Sequence, residues 1–309
     1  MTPGEVSSDS ALRAPARPAG PAGRRRPVRR RLWVAAALIA LLLIGAVWGL
    51  IYYHRFYHHV TAQETSHAVE HTTFTAALRD KPVTFQLYQQ SGARHQEAVL
   101  FTSGDGGWSP FCADMAAHIA ATGRTVVGFD AKTYLTAFAQ SQRPVTPEEL
   151  AQDYGELIKI TRARPGIDAH LPITLAGWSL GAGYSVLVAA DPQIKPQVRR
   201  VIAVSLPALN ELAWKPTDAL IYITHGTPRE KVFDARTYLP RVAPVPLFML
   251  NATDDDTSTL ADAQSLFERA NEPKRLFRIE ARGHHFEGGE EGFYRSLDEC
   301  FEAHSSRVN

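Results

Sequence analysis

Ser179 stands between two glycines in Gly177-Trp178-Ser179-Leu180-Gly181, where the strand-like run ITLA gives way to a helix-forming stretch. A sharp strand-to-helix turn needs glycine on both flanks, because backbone segments approach closely there. It also lifts the serine hydroxyl to the C-terminal edge of the strand, beside a helix N-terminus. A lone hydroxyl is a weak nucleophile. It needs a base to take its proton, and the base needs an acid to orient it. Both residue types follow in chain order. After the run PLFML come Asn251-Ala252-Thr253-Asp254-Asp255-Asp256, and after RLFRI come Gly283-His284-His285-Phe286. Either histidine can serve as the base; His284 is preferred because it directly follows the glycine, with His285 as the alternative. Any of the three aspartates can orient it, although three in a row also suit a solvated turn or a helix cap. The remaining need is a pair of donors for the oxyanion. One is the backbone N–H of Leu180, just after the serine. The other is expected in Ser103-Gly104-Asp105-Gly106-Gly107-Trp108, whose glycines let backbone N–H groups such as those of Asp105 and Gly106 point at a reacting carbonyl. A P-loop reading of this string fails for want of its Lys-Ser/Thr pair. Nothing in the set calls for a metal or a cofactor.

These residues must be positioned by strands and helices. Short apolar runs at 82–88, 98–102, 125–129, 173–176, 201–205, 246–250 and 275–279 read as strands. Helical stretches follow at 111–122, 146–164, 180–190, 260–270 and 291–303. The helix at 146 opens with Thr-Pro-Glu-Glu, a threonine suited to the N-cap and a proline to the first turn. Alternation of this kind predicts βαβ units and a mostly parallel sheet with helices on both faces. Serine, acid and histidine then fall in loops at strand C-terminal ends, in the order found in the α/β-hydrolase fold. Residues 207–240 fit the alternation poorly and read as an insertion beside the site.

The strings SGDGGW (103–108), GWSLGA (177–182) and GHHF (283–286) resemble the VirJ/AcvB family of bacterial virulence-associated proteins. The resemblance covers roughly residues 76–303, and SGDGGW and GHHF are its distinctive parts. It implies an α/β-hydrolase fold, export across the inner membrane and, as substrate, an aminoacyl ester of phosphatidylglycerol, lysyl or alanyl. The family's acid loop ends with an Asp followed four residues later by Pro. Asp256 takes that Asp position here and Leu260 stands in place of the Pro. On the resemblance, therefore, Asp256 is the acid, with Asp255 and Asp254 as alternatives. Trp178 departs from the residue the family tends to carry before the serine, which bears on pocket shape.

The 309 residues, 45% hydrophobic and 21% charged, suit a packed core rather than a wholly disordered chain. The net charge of +1 is unevenly spread. Residues 1–31 carry a net +6, and the rest carries 25 basic and 30 acidic residues, a net −5. A nucleic-acid partner held by a broad basic face is thereby excluded. The string RRRPVRRR (24–31) precedes an uncharged run at 32–53, a helix of about 33 Å if continuous, enough to cross a bilayer core. A cleavable signal peptide fits less well, because the run is long and no small-x-small site follows. The expected organisation is a disordered basic cytoplasmic tail (1–31), a transmembrane signal anchor (32–53), a polar stalk (54–75) and a hydrolase-type domain (76–309). Six arginines hold the N-terminus inside, so the domain lies in the periplasm or outside, tethered to the bacterial inner membrane in a single pass. A membrane lipid is then a neighbour at high effective concentration. Export also permits a disulfide between Cys112 and Cys300, against the alternative of two free buried thiols. Two other functions compete with ester hydrolysis. One is a non-catalytic binding factor for an envelope or secretion-system complex. The other is an acyltransferase, which would share the triad and differ only in the acceptor.

Overall fold

A computed structural model describes residues 26–57, 69–90, 97–139, 143–165, 167–170, 172–214 and 231–302. They fall into two units divided after Ile51. The first holds one continuous helix, α1 (Arg26–Tyr57), which runs on into the start of the second. Its described side chains, at 33–49, are exposed throughout, Trp33 and Trp48 included. Among the described residues no helix is long and apolar enough to cross a membrane. The ends of the expected span, the tail before Arg26 and residues 58–68 of the expected stalk lie outside the described side chains.

The second unit is built on an eight-stranded sheet of order β1-β2-β4-β3-β5-β6-β9-β10. The strands are β1 (Val69–Leu78), β2 (Lys81–Gln90), β3 (Ala98–Thr102), β4 (Thr125–Phe129), β5 (Ile173–Trp178), β6 (Val198–Val204), β9 (Leu247–Asp254) and β10 (Lys274–Arg282). A separate pair, β7 (Leu209–Glu211) and β8 (Val232–Asp234), lies between β6 and β9 in the chain. β1 and β2 pair antiparallel, as do β2 and β4; every other pairing in the large sheet is parallel. The sheet begins at Val69, so the last part of the stretch expected as stalk is an edge strand. Its first half, VEHTT, is mostly polar and exposed, and only Phe74, Ala76 and Leu78 alternate inward toward the core.

The described helices of this unit are α2 (Pro110–Ala121), α3 (Ala131–Phe138), α4 (Pro147–Arg162), α5 (Leu180–Ala189), α6 (Leu260–Arg269) and α7 (Glu290–Glu302). They cover both faces, and alternation along the central strands decides which side chain meets which layer. Leu100 and Leu175 join the core formed with α3, α4 and α5. Val99, Phe101 and Ala176 face the other way, into the core formed with α2 and α7. The expected Thr146 cap is a full capping box, with Pro147 in the first turn. Cys112 and Cys300 are free and buried in the α2/α7 layer, and burial raises both thiols.

The 207–240 stretch departs from βαβ as expected. It forms the β7–β8 pair and two 3-10 turns at 235–237 and 239–241, with 215–230 outside the described residues. It is fastened to the helical layer near the serine. Tyr184 Oη donates to Glu211 O (2.8 Å), and Gly183 approaches Asn210 so closely that a Cβ there would overlap the Asn210 amide.

Candidate active site

β5 ends at Trp178 and α5 begins at Leu180, and Ser179 makes the turn between them with φ +54° and ψ −120°. A non-glycine residue in this region costs about 1–3 kcal/mol and persists only where its surroundings enforce it. They do so here. The Ser179 N–H donates to Val204 O of β6 (2.9 Å). A Cβ on Gly177 would overlap the backbone of Gly181, and one on Gly181 would overlap the carbonyl of Thr102 in β3. Both flanking glycines are thus required by close approach of backbone to backbone. Ser179 itself is 7% exposed at the head of α5.

The histidine loop starts where β10 ends. It is a tight turn closed by a reciprocal pair of bonds, Arg282 N–H to Glu287 O (3.0 Å) and Glu287 N–H to Arg282 O (2.8 Å). Gly283 (φ +65°) and Phe286 (φ +62°) supply the turn's left-handed positions. The Gly283 N–H donates to Asp254 O (2.7 Å), which ties the histidine loop to the acid loop after β9. His284 Nδ1 then meets both carboxylate oxygens of Asp255, at 2.9 and 3.1 Å.

Asp255, not Asp256, is therefore the carboxylate against the histidine, which corrects the expectation drawn from the resemblance. The physical reason is the turn that follows β9. Asp255 Oδ1 accepts the N–H groups of Thr257 (2.8 Å) and Ser258 (2.9 Å), which folds its side chain inward until none of it is exposed. Asp254 and Asp256 both stay exposed. The turn is braced from behind by Asn251 Nδ2 donating to Ser258 O (2.8 Å) and Ser258 Oγ donating to Ser205 O (3.2 Å). Burial acts to raise the Asp255 carboxyl. The hydrogen bond and charge of His284, with the N–H groups of Ser258 and Thr257, outweigh it and hold the carboxyl below its ordinary value.

With Nδ1 engaged, the other ring nitrogen of His284 is buried and has no hydrogen-bond partner among the described residues. The ring lies 5.2 Å from that of Trp178, whose Nε1 donates to His284 O (3.1 Å), so His284 is pinned to the residue next to Ser179. His285 occupies a different setting. Its ring packs against Trp178 (4.8 Å) and meets Phe111 edge-on (5.4 Å), with Nδ1 4.0 Å from Glu287.

On the oxyanion side, the Leu180 N–H is the first amide of α5, one of those a helix leaves without an internal acceptor. The 104–107 turn, closed by Gly107 N–H to Gly104 O (3.1 Å), presents Asp105 and Gly106 at its tip. It abuts the serine: a Cβ on Gly104 would lie 3.5 Å from Ser179 Cβ and 3.0 Å from the Trp178 ring. Asp130, at the N-cap of α3, also contacts this turn and was absent from the expected set. Its signal was an Asp between the strand TVVGF and the helical AKTYL, which marks a helix start rather than a site. Among the described residues no group of three or more His, Cys, Asp or Glu could hold a metal ion. Ser179, the His284–Asp255 pair and the 104–107 turn thus lie in loops at the C-terminal ends of the strands, an arrangement suited to acyl transfer.

Comparisons with known proteins agree with this architecture. The chain is similar to the esterase domain of a Rhodothermus marinus protein, at 15% identity and TM-score 0.53, over 76% of this chain and 98% of that one. It is also similar to a dienelactone hydrolase from Anabaena variabilis, at 19% identity and TM-score 0.55, over 77% of this chain and 99% of that one. Est1E from Butyrivibrio proteoclasticus aligns at 11% identity and TM-score 0.55, over 75% and 98%. These likenesses establish the α/β-hydrolase fold. No curated protein sequence matches the chain. Residues 96–299 match the family model described as bacterial virulence protein (VirJ), a span that holds Ser179, Asp255 and His284, and the chain belongs to that family.

Proposed function

We propose that this chain is a serine hydrolase of carboxylic esters, acting through Ser179, His284 and Asp255. The observation that carries the reading is the His284–Asp255 pair, whose second ring nitrogen is buried without a partner among the described residues, while the His284 carbonyl is bonded to Trp178, the neighbour of a serine held in a strained turn. Ser179 Oγ attacks the ester carbonyl carbon while its proton passes to His284 Nε2. Asp255 holds the Nδ1 side and steadies the imidazolium. The carbonyl oxygen becomes an oxyanion, met by the Leu180 N–H and a donor from the 104–107 turn. On collapse, His284 returns the proton to the leaving alcohol oxygen, which leaves an acyl-serine. Water then adds to that carbonyl as its proton goes to His284; the second collapse breaks the acyl–Ser179 bond, returns that proton to Ser179 Oγ and releases the carboxylic acid.

The substrate we propose is the aminoacyl ester of phosphatidylglycerol, lysyl or alanyl, presented by the membrane in which residues 32–53 anchor the protein. Family membership and the apolar run behind six arginines support this reading. The products are a free amino acid and the anionic lipid, so activity makes the surface more negative. The test is incubation of the full chain in detergent with aminoacylated and unmodified phosphatidylglycerol, with Ser179→Ala as control. Release of amino acid by the wild type is expected. Ser179→Ala loses it by on the order of 10³-fold or more, together with fluorophosphonate labelling. Cleavage of small esters without cleavage of the lipid would overturn the substrate and leave the enzyme standing.

A further inference from the structure

The turn that abuts Ser179 belongs to no strand, and what holds it is the neighbouring junction between β4 and α3. The Ser103 N–H donates to Phe129 O (3.0 Å). The Ser103 hydroxyl accepts the Ala131 N–H (3.0 Å) and donates to Gly104 O (3.0 Å). Asp130 lies between these anchors and its two carboxylate oxygens divide the work. Oδ1 accepts the Thr133 N–H (2.7 Å) and caps α3; Oδ2 accepts the Trp108 N–H (2.9 Å) at the far end of the turn. The same oxygen lies over Gly107, where a Cβ would be 3.2 Å from it and φ is +91°.

The direction of one amide follows. A trans peptide is planar, with C=O and N–H pointing opposite ways. Gly104 O is taken by the Ser103 hydroxyl and the Gly107 N–H, and the Gly104–Asp105 peptide is trans. The Asp105 N–H of that peptide is therefore turned away from the anchored side. We propose that Asp130, outside the triad, is a positioning residue that holds the 103–108 turn so that the Asp105 N–H is the second oxyanion donor. The proposal rests on the serine-hydrolase reading above.

Capping α3 is the competing role for Asp130, and Asp130→Ser separates the two. Serine keeps one oxygen close to the backbone, enough to cap Thr133, and lacks the second that reaches Trp108. The experiment measures a p-nitrophenyl ester with the full chain in detergent, with reactive serines counted by fluorophosphonate titration so that kcat is per active site. Asp130→Ser is expected to lose on the order of 10- to 100-fold in kcat, with KM within about twofold. Affinity for a trifluoromethyl ketone, whose hemiketal oxygen mimics the oxyanion, falls by a similar factor. Ser103→Ala, which removes one of the two donors to Gly104 O and the acceptor of the Ala131 N–H while leaving Asp130 in place, moves both readouts the same way and serves should Asp130→Ser not fold. Wild-type kcat per site and wild-type ketone affinity in the folded variants would overturn the assignment while leaving the hydrolase reading intact. A wild-type chain that neither labels nor cleaves would overturn both.

Discussion

Asp255 and Asp256 are adjacent, chemically identical and set apart by their surroundings alone. One carboxylate is fully buried against His284 and two backbone N–H groups, while the other is exposed. Asp255→Asn leaves the histidine without the acceptor that selects its tautomer, so a loss of about 10³–10⁴-fold in kcat is expected. Asp256→Asn should stay within about twofold. Parallel ester kinetics on the two variants decide it, and equal losses would reject the assignment. The pair also links stability to pH. Because the folded Asp255 carboxyl lies below its ordinary value of about 3.9, its contribution is fully present above that pH and is lost as pH falls through the lowered value. The gap in Tm between wild type and Asp255→Asn should close as pH falls from about 5 through the lowered value. His285→Ala removes a ring packed on Trp178 and Phe111 and should lower Tm more than it lowers kcat per active site.

At the scale of elements, the elbow depends on β3, β5 and α5 approaching one another with nothing between. Gly181→Ala would drive a methyl into the Thr102 carbonyl, backbone against backbone, and neither side can yield without parting α5 from β3. A loss of about 1–3 kcal/mol or more is expected, read as a fall in denaturation midpoint together with activity. Gly106→Ala is the control. Its Cβ would meet nothing within 4 Å, so a change within about 0.5 kcal/mol is expected. The elements that were hard to read share a cause. β1 is a polar edge strand held by pairing with β2, and α3 is only eight residues long, fixed by its Asp130 cap and by Tyr134 and Leu135 packing inward. Each lacks the buried apolar run or the full amphipathic stripe that marks an element, whereas the buried strands and the Thr146 capping box carry strong local signals.

For the whole molecule, the proposed anchor and the proposed ester hydrolysis together place the substrate in the protein's own membrane. On the proposed orientation, with the arginine block inside, protease added to intact spheroplasts should digest the domain that follows α1. Protection of that domain would reverse the orientation. With the domain outside, deleting the gene should raise aminoacylated phosphatidylglycerol in extracted membranes, and overexpression should lower it, as read by lipid mass spectrometry.

The α/β-hydrolase fold and a candidate site were legible from sequence because their determinants are local. A Gly-x-Ser-x-Gly elbow between a strand and a helix, and an acid and a histidine each at the end of a later strand, are read within a few residues of each position. The strand–helix alternation likewise placed these loops at one edge of a parallel sheet. Tertiary structure decided what depends on contacts across the chain. Which aspartate faces His284 turns on a bond across 29 positions, set by a turn that buries Asp255 and leaves its neighbours in solvent. The part played by Asp130 turns on the packing of β4 beside β3, which brings a helix cap to the oxyanion turn. Residue type and spacing carry chemical capability, but the direction of a side chain is set by what the fold brings up against it.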